Sequence, residues 1–411
     1  MQPRRDVVHR TLPPAIAGVL AFLLACALPR IGLMQGGQDA DVALYQHYGD
    51  QLVGGTIPYR SFFVEYPPAS LIVFALPSLL PRGDYTTAFH LLMVACSVAT
   101  IVSVATILTL CGVSRRGVWG GTLFAALSPL LLGRTYLDRY DAFPSFLLMA
   151  AIVCVGFGRH RTSLVALGLG ACAKIYPVVA LPLFLLRLST LGQGMVRRGL
   201  AAFGVTCAVV LLPFLILGPG GVRFTTRVGL VRPTQVESLG GSLAFLADRT
   251  GLLDVTTSTT YGSKNVFGSG VWLIAVACAL ALGVALVLTW LTFARSDRSY
   301  PRLAAATLAS VAAFVAFGKV LSPQYLIWLI PLAPLALGRR SSIATCALLT
   351  AALGMTRHWF PGRLSELAHL QNESWVVVMR NAVLVAVFAV AYRSIRAGRY
   401  QITNRPATDR R

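Results

Sequence analysis

The chain has 411 residues, of which 56% are hydrophobic and 12% are charged. Soluble domains carry about 25% charged residues, so this chain has too little polar surface for a water-soluble globule. The same hydropathy excludes a disordered protein. Apolar runs close to the length of a membrane-spanning helix recur along the whole sequence. They predict an all-α protein that crosses the membrane many times and forms a single integral membrane domain over residues 1–411.

The apolar segments define a topology. In chain order the clear ones are 13–33, 85–111, 117–133, 142–158, 199–217, 270–294, 302–318, 323–338, 343–356 and 375–393. Segment 67–80 is too short to span and predicts a re-entrant or interfacial helix. Segment 162–187 predicts a hairpin of two short helices, because a charge and a proline interrupt it at Lys174 and Pro177. About twelve transmembrane helices result, with both termini in the cytoplasm.

The net charge of +21 supports this topology. With these assignments the inner loops hold 21 basic and 3 acidic residues, which leaves 15 basic and 12 acidic residues outside. Every compact basic pair, such as Arg115–Arg116, then lies inside, as the positive-inside rule requires. The excess positive charge therefore indicates how the protein is oriented in the cell membrane. No nucleic-acid partner is predicted. The cysteines and histidines show no metal-ligand spacing, so no metal or other cofactor is predicted.

Two outer loops are large, 34–83 and 218–269. Apolar residues at a helical spacing after Asp39 predict a helix in the membrane interface, and Pro67 begins a second one. Asp39 and Asp41 lie at the start of the first helix. Both could simply stabilise that helix N-terminus, or they could serve chemistry at the membrane surface. Asp39 beside Asp41 also leaves metal binding open.

Further charged residues are predicted on the outer face. Segment 134–141 contains two acids and two bases, which form either a solvated turn or a second polar wall of the cleft that Asp41 faces. Lys174 is flanked by apolar runs, which favours a partner or a water-filled cavity over an isolated charge, although the side chain could also reach the interface. Lys319 and His358 follow other helix ends. Several cations around one outer cleft would suit the phosphate of a lipid headgroup.

The first outer loop carries the pattern D-x-x-x-Y…L-x-x-G-x-x-P-Y-x-x-F…E-Y-P-P from Asp41 to Pro68. The blocks R-Y-D-A-F-P (139–144), A-K-I-Y-P (173–177) and S-P-Q-Y-L-I-W (322–328) follow in order. Together these motifs resemble glycosyltransferase family 87, which belongs to the GT-C superfamily of polytopic membrane glycosyltransferases. The resemblance covers residues 39–330 and does not extend to the C-terminal quarter.

The resemblance implies a polyprenyl-phosphate sugar donor, with mannose favoured, and a glycolipid or glycan acceptor. The family includes α-mannosyltransferases that extend phosphatidylinositol mannosides and lipoglycans of the cell envelope. The resemblance also implies a catalytic carboxylate in the first outer loop, which by position in the motif is Asp41. The active site is then expected on the outer face of the membrane.

The chemistry of inverting transfer assigns roles to these residues. Asp41 is predicted to be the general base that deprotonates the acceptor hydroxyl. Cations should stabilise the departing lipid phosphate, and the candidates are Lys174, Lys319, Arg139 and His358. The residues predicted to line the acceptor side or the cleft are Asp39, Glu65, Tyr59 and Asp141. Two of these residues have an alternative interpretation: Glu65 could instead cap segment 67–80, and His358 could have a structural role.

Two alternatives remain for the function. A lipid or solute transporter would use the same cations, although it would place its ionisable groups near mid-membrane rather than on one face. A GT-C enzyme with another sugar, such as an arabinofuranosyl or glucosyl transferase, would differ only in hydroxyl contacts.

Overall fold

The computed structural model describes residues 2–28, 33, 40–80, 84–360 and 374–397, with side chains between residues 7 and 396. Asp39 lies outside the described residues. Within these ranges the chain is almost entirely helical, with one two-stranded antiparallel sheet.

The α-helices of the described residues are, in chain order, α1 (Gln2–Ala27), α2 (Ala40–Val53), α3 (Ser70–Ser78), α4 (Tyr85–Leu110), α5 (Arg115–Leu127), α6 (Ala142–Gly156), α7 (His160–Ala173), α8 (Leu181–Ser189), α9 (Gln193–Leu217), α10 (Pro219–Val231), α11 (Leu239–Arg249), α12 (Val271–Ala294), α13 (Tyr300–Phe317), α14 (Leu326–Leu329), α15 (Arg339–Trp359) and α16 (Trp375–Ala397). The strands are β1 (Val255–Thr260) and β2 (Ser263–Gly268). Short 3₁₀ helices occur at Ser128–Leu131, Gly133–Tyr136, Tyr176–Ala180, Pro323–Tyr325 and Ala333–Leu335.

Six helices in the described ranges are long and apolar enough to cross a membrane. They are Val7–Ala27, Tyr85–Leu110, Gln193–Leu217, Val271–Ala294, Tyr300–Phe317 and Trp375–Arg396. The protein is therefore a helical, multi-pass membrane protein, as its composition predicts. The count of twelve spans is not confirmed and stays a prediction, because several of the remaining apolar helices are shorter than a bilayer requires.

The predicted interruption of segment 162–187 is confirmed. α7 ends at Ala173, and α8 begins only after the 3₁₀ helix Tyr176–Ala180. Lys174 contacts Asp141 beside the start of α6, whereas Arg187 in the last turn of α8 donates to the carbonyl of Arg298, between α12 and α13 (3.0 Å). The chain therefore reverses direction at this break. α3 has nine residues, so segment 67–80 is also shorter than a full span.

One sequence prediction is corrected by the structure. Segment 323–338 is not one continuous helix but the short α14 between two 3₁₀ helices, because Pro323, Pro331 and Pro334 each remove a backbone donor. Segment 218–269, predicted as a large outer loop, contains α10, α11 and the hairpin of β1 and β2, and its location outside the membrane stays a prediction.

The core includes the buried faces of α4, α6 and α13. α4 packs on α6, and α13 packs mainly on α12 and α16. Several hydroxyl groups within these helices donate to the carbonyl four residues earlier, as Thr100 does to Cys96 and Thr307 does to Leu303. This pairing satisfies polar groups that have no access to water. By contrast, α9 and α12 are mostly outward-facing, as expected for helices that contact lipid.

Candidate active site

The first-loop carboxylate Asp41 forms an ion pair with Arg139. Asp41 lies in the first turn of α2, where unpaired N–H groups and the helix dipole favour a negative charge. Arg139 lies in the connection between the 3₁₀ helix Gly133–Tyr136 and α6. The side chain of Asp41 is 33% exposed, whereas that of Arg139 is only 9% exposed. The structure thus brings two sequence-predicted residues together and leaves the carboxylate accessible.

A second ion pair lies beside the first and joins the three later motif blocks. Lys174 Nζ lies 2.6 Å from Asp141 Oδ1, and Trp328 Nε1 donates to the same oxygen at 2.6 Å. The Lys174 ammonium also lies 4.6 Å from the ring centroid of Tyr140 and 5.5 Å from that of Tyr325. The interruption after α7 therefore places a buried cation against a carboxylate and an aromatic cage, so Lys174 has a partner rather than an isolated charge.

Aromatic packing connects the first loop to this cluster. Tyr45 of α2 stacks on Phe74 of α3, with ring centroids 4.4 Å apart. Tyr140 packs edge-on against both Tyr45 (5.7 Å) and Tyr66 (5.2 Å). These rings hold α2 and α3 against the segment that carries Arg139 and Asp141. The position of Asp41 relative to the two cations is therefore fixed by packing and not by the ion pair alone.

Asp138 belongs to a buried polar group next to this segment. Its Oδ1 lies 2.8 Å from Nε2 of His90 in α4, and its Oδ2 lies 3.6 Å from Nε of Arg134. His90 and Asp138 are both almost fully buried. Segment 134–141 is therefore not a solvated turn: its acids are paired and enclosed.

Lys319 lies at the end of α13 in a loop that Gln235 holds in place. The Lys319 ammonium donates to the carbonyl of Leu230 in α10 (2.5 Å). The backbone N–H of Gln235 donates to the carbonyl of Lys319, and its side chain bonds Leu321 and Ser322. Burial lowers the pKa of Lys319, and the nearby charge of Arg232 lowers it further. The loop is thus attached to the folded part of segment 218–269.

The sequence interpretation missed a buried ion pair between this segment and α16. Arg380 is fully buried, donates to the backbone carbonyl of Glu237, and lies 3.9 Å from its carboxylate. Burial raises the pKa of Glu237 to about 7, although Arg380 and Arg139 both act to lower it. Asn381 bonds the same carbonyl and Ser242 of α11. An arginine inside a predicted span was the signal that could have identified Arg380 as a paired residue, although not its partner.

The remaining predicted site residues are more scattered. Glu65 is exposed, and the hairpin turn lies close to it, since a Cβ at Gly262 would be 3.6 Å from Glu65 Oε1. Tyr59 is buried and donates its hydroxyl to the carbonyl of Tyr66 (2.5 Å), so the structure does not bring it to the cleft. His358 is exposed in the last turn of α15. Asp39 falls outside the described residues.

No group of three or more acidic, histidine or cysteine side chains in the described ranges is arranged to hold a metal ion. What these ranges bring together instead is an accessible carboxylate, Asp41, beside Arg139 and the pair formed by Lys174 and Asp141. Such a site can accept a proton and bind an anion in one place.

The family model of glycosyltransferase family 87 matches residues 63–323, which is more than half of the chain. The chain belongs to glycosyltransferase family 87. The resemblance inferred from the four motifs is thereby confirmed, and this family 87 protein is a membrane glycosyltransferase. The matched range contains Arg139, Asp141, Lys174 and Lys319, whereas Asp41 precedes it.

This family 87 member is also similar to a characterised relative, the catalytic subunit of GPI α-1,4-mannosyltransferase I from Danio rerio. The two are 24% identical over 400 residues, which cover 92% of this chain and 95% of the relative. A similar solved structure is ArnT from Cupriavidus metallidurans bound to undecaprenyl phosphate, at 14% identity and a TM-score of 0.47, with 95% of this chain and 77% of that chain covered. Another is the Archaeoglobus fulgidus oligosaccharyltransferase tethered with an acceptor peptide, at 12% identity and a TM-score of 0.45, with 94% and 55% covered.

Proposed function

We propose that this protein is a mannosyltransferase that moves mannose from a polyprenyl-phosphate donor to a lipid-linked or glycan acceptor, with inversion at the anomeric carbon. The observation that carries the proposal is the accessible carboxylate of Asp41 paired with Arg139 and adjoining the pair of Lys174 and Asp141. Family membership supplies the reaction class. The name of the Danio rerio relative supports mannose as the sugar, and the family resemblance supports the lipid phosphate donor.

Asp41 acts as the general base in this reaction. The carboxylate takes the proton of the acceptor hydroxyl while that oxygen forms a bond to the anomeric carbon. On the opposite side the bond from this carbon to the phosphate oxygen breaks, and its electron pair leaves on the polyprenyl phosphate. Because Asp41 is already fixed by the packing of α2, the carboxylate needs little reorganisation when the acceptor binds.

Arg139, Lys174 and Lys319 stabilise the negative charge that develops on the leaving phosphate. Arg139 has a particular role, because its guanidinium contacts Asp41 in this structure. A donor phosphate that binds Arg139 would compete with Asp41 for this cation and would leave the carboxylate available to the acceptor proton. Lys319 donates to a carbonyl rather than to a carboxylate, so its positive charge is available to a phosphate.

The site is proposed to open on the outer face of the cell membrane, in a chain with twelve spans and cytoplasmic termini. The charge distribution supports this orientation, because the basic pairs then lie inside. A topology reporter fused near residue 193, between α8 and α9, tests it. A cytoplasmic location is expected, and an external one would contradict the orientation.

The decisive experiment is an assay with purified protein in vesicles that contain a synthetic polyprenyl-phosphate mannose and an extract of membrane acceptor lipids. Release of polyprenyl phosphate together with mannosylated lipid is expected. Donors that carry glucose or arabinofuranose, supplied in parallel, test the sugar. Transfer of the intact donor lipid between leaflets without release of polyprenyl phosphate would instead identify a transporter and overturn the proposal.

A further inference from the structure

A cavity of about 520 Å³ lies at the end of the helix bundle opposite the candidate active site. It is formed where α12 ends and α16 ends, next to the start of α13. The opposite ends of these two helices lie near the candidate active site: α12 begins beside the core residues of the hairpin, and α16 begins at Trp375, near Glu237. α12 has 24 residues and is about 36 Å long at 1.5 Å per residue. This length separates the cavity from the end of the bundle that holds the candidate active site. The cavity therefore has no part in the proposed transfer reaction.

The cavity is strongly basic. Arg295, Arg302 and Arg396 all line it. Arg302 forms an ion pair with Asp297 (3.0 Å) and donates to the carbonyl of Ile395 (3.0 Å). Within the described residues no carboxylate lies at ion-pair distance from Arg295 or Arg396. Within these described ranges two arginine charges therefore face one concave surface without an acidic partner, which favours an anionic occupant.

Hydroxyl groups line the same surface. Thr292 and Tyr392 line the cavity and bond each other across the gap between α12 and α16 (3.3 Å). Ser296 lines it as well. Thr292 and Tyr392 use one hydroxyl hydrogen between them, and Ser296 donates its own to the carbonyl of Phe293 (2.7 Å). The guanidinium groups and the remaining hydroxyl hydrogen of the Thr292–Tyr392 pair are donors that suit phosphate oxygens, which carry no proton of their own.

One wall of the cavity is apolar and continues along the outside of the bundle. Leu288 and Leu291 line the cavity and are exposed. Leu280 and Val284, at helical spacing before them on α12, are exposed too. These side chains form an apolar strip that runs from the cavity toward the middle of the membrane. An occupant with a phosphate at one end and a hydrocarbon chain at the other matches both surfaces.

We propose that this cavity binds the headgroup phosphate of an anionic glycerophospholipid, with an acyl chain along α12. Basic residues at a helix end serve orientation alone when they point into solvent. Arg339 and Arg340, at the start of α15, are basic residues that serve orientation alone, because they are exposed and do not line the cavity. The convergence of three arginines and a tyrosine hydroxyl on one cavity next to an apolar strip is what distinguishes this end of α12 and α16.

Native mass spectrometry of the full chain, purified with phosphatidylglycerol or with phosphatidylcholine of the same acyl chains, tests the proposal. Wild-type protein should retain phosphatidylglycerol in preference to phosphatidylcholine. The double variant Arg295→Gln/Arg396→Gln should retain phosphatidylglycerol about tenfold less, because it loses two charge-assisted contacts. The control Arg339→Gln/Arg340→Gln removes the same charge at the same end of the bundle and should behave as wild type.

Two outcomes would overturn this assignment. Equal loss in both double variants would mean that phosphatidylglycerol follows net charge and not the cavity. Full displacement of the retained lipid by millimolar inorganic phosphate would mean that the site takes a free anion rather than a lipid. Neither double variant changes a residue of the proposed active site, so both should keep transfer activity. That activity serves as the control that each variant is folded.

Discussion

Arg139 forms an ion pair with Asp41 and so joins the start of α2 to the segment that precedes α6. The same segment supplies Asp141, which binds Lys174 and Trp328. The site is consequently assembled from parts of the chain that are distant in sequence, and each part carries one of the motif blocks. Because charges of both signs are present, the site fits the proposed reaction, in which an anionic donor and a proton-accepting carboxylate act side by side.

The first prediction concerns the general base. Asp41→Asn removes the proton acceptor while keeping the size of the side chain, so transfer should fall by about 10²- to 10⁴-fold. Donor binding should be retained or become tighter, because Arg139 no longer pairs with a carboxylate. Initial rates of polyprenyl phosphate release and equilibrium binding of the donor measure the two effects separately.

The control for this prediction is Asp50→Asn, which makes the same change near the other end of α2, where Asp50 is exposed. Transfer by that variant should stay close to wild type. Near-normal turnover by Asp41→Asn would remove Asp41 from the mechanism.

A second prediction concerns the pair of Lys174 and Asp141. The Asp141 side chain is 1% exposed and that of Lys174 is 13% exposed, so removal of either partner leaves a buried charge without its counterion. Lys174→Met or Asp141→Asn alone should destabilise the protein by about 3–5 kcal/mol, whereas the double variant should recover part of that loss. Thermal unfolding in detergent measures all three.

The pair of Arg302 and Asp297 is the matched comparison, because Asp297 is 61% exposed. Its double-variant cycle should give a coupling of about 0–1 kcal/mol. Strictly additive effects at Lys174 and Asp141 would contradict the interpretation of a buried, mutually dependent pair.

Long apolar runs and interrupting residues were sufficient to predict much of the fold. The runs 85–111, 270–294 and 375–393 match α4, α12 and α16 closely, because a bilayer demands that backbone groups be satisfied within each segment. The break at Lys174 followed from a charge and a proline. The prediction of one continuous helix over 323–338 was wrong, because three prolines interrupt a segment whose apolar character alone suggests a span.

The site was only partly predictable for a different reason. The motifs, together with the cost of placing a charge in lipid, were enough to predict Asp41, Arg139 and Lys174 as site residues. The contact between Arg380 and Glu237 could not be predicted in this way, because one residue lies in α16 and the other in a segment whose sequence predicts a polar loop. Side-chain pairs between distant elements depend on tertiary packing, which local periodicity does not contain.

A third prediction uses two adjacent glycines in the first turn of α10. A Cβ at Gly221 would overlap the backbone carbonyl of Tyr59, whereas a Cβ at Gly220 would meet no atom within 4 Å. Gly221→Ala should therefore separate α10 from the first loop and lower the apparent Tm by several degrees. Gly220→Ala should leave Tm unchanged or raise it slightly, since alanine favours the helix by about 0.5–1 kcal/mol. Equal behaviour of the two variants would show that α10 does not pack on Tyr59.

The last prediction is a pH dependence that arises from Glu237. Burial raises the pKa of this carboxyl to about 7, above its value of 4.5 in water, and the charges of Arg380 and Arg139 offset only part of that effect. Between pH 4.5 and 7 the folded protein therefore binds more protons than the unfolded chain does. The contribution of Glu237 to the free energy of unfolding should fall as pH rises through this interval, by at most about 3 kcal/mol, and should be constant above it.

Apparent Tm measured from pH 5 to pH 8.5 should show this decline in the wild type, and Glu237→Gln should flatten the curve because an amide does not titrate. Asp248→Asn, on the neighbouring helix α11, should keep the wild-type slope and so separates Glu237 from the other acids of segment 218–269. Parallel curves for wild type and Glu237→Gln would mean that the carboxyl already titrates at its value in water. In that case Arg380 and Arg139 would compensate the burial of Glu237 completely.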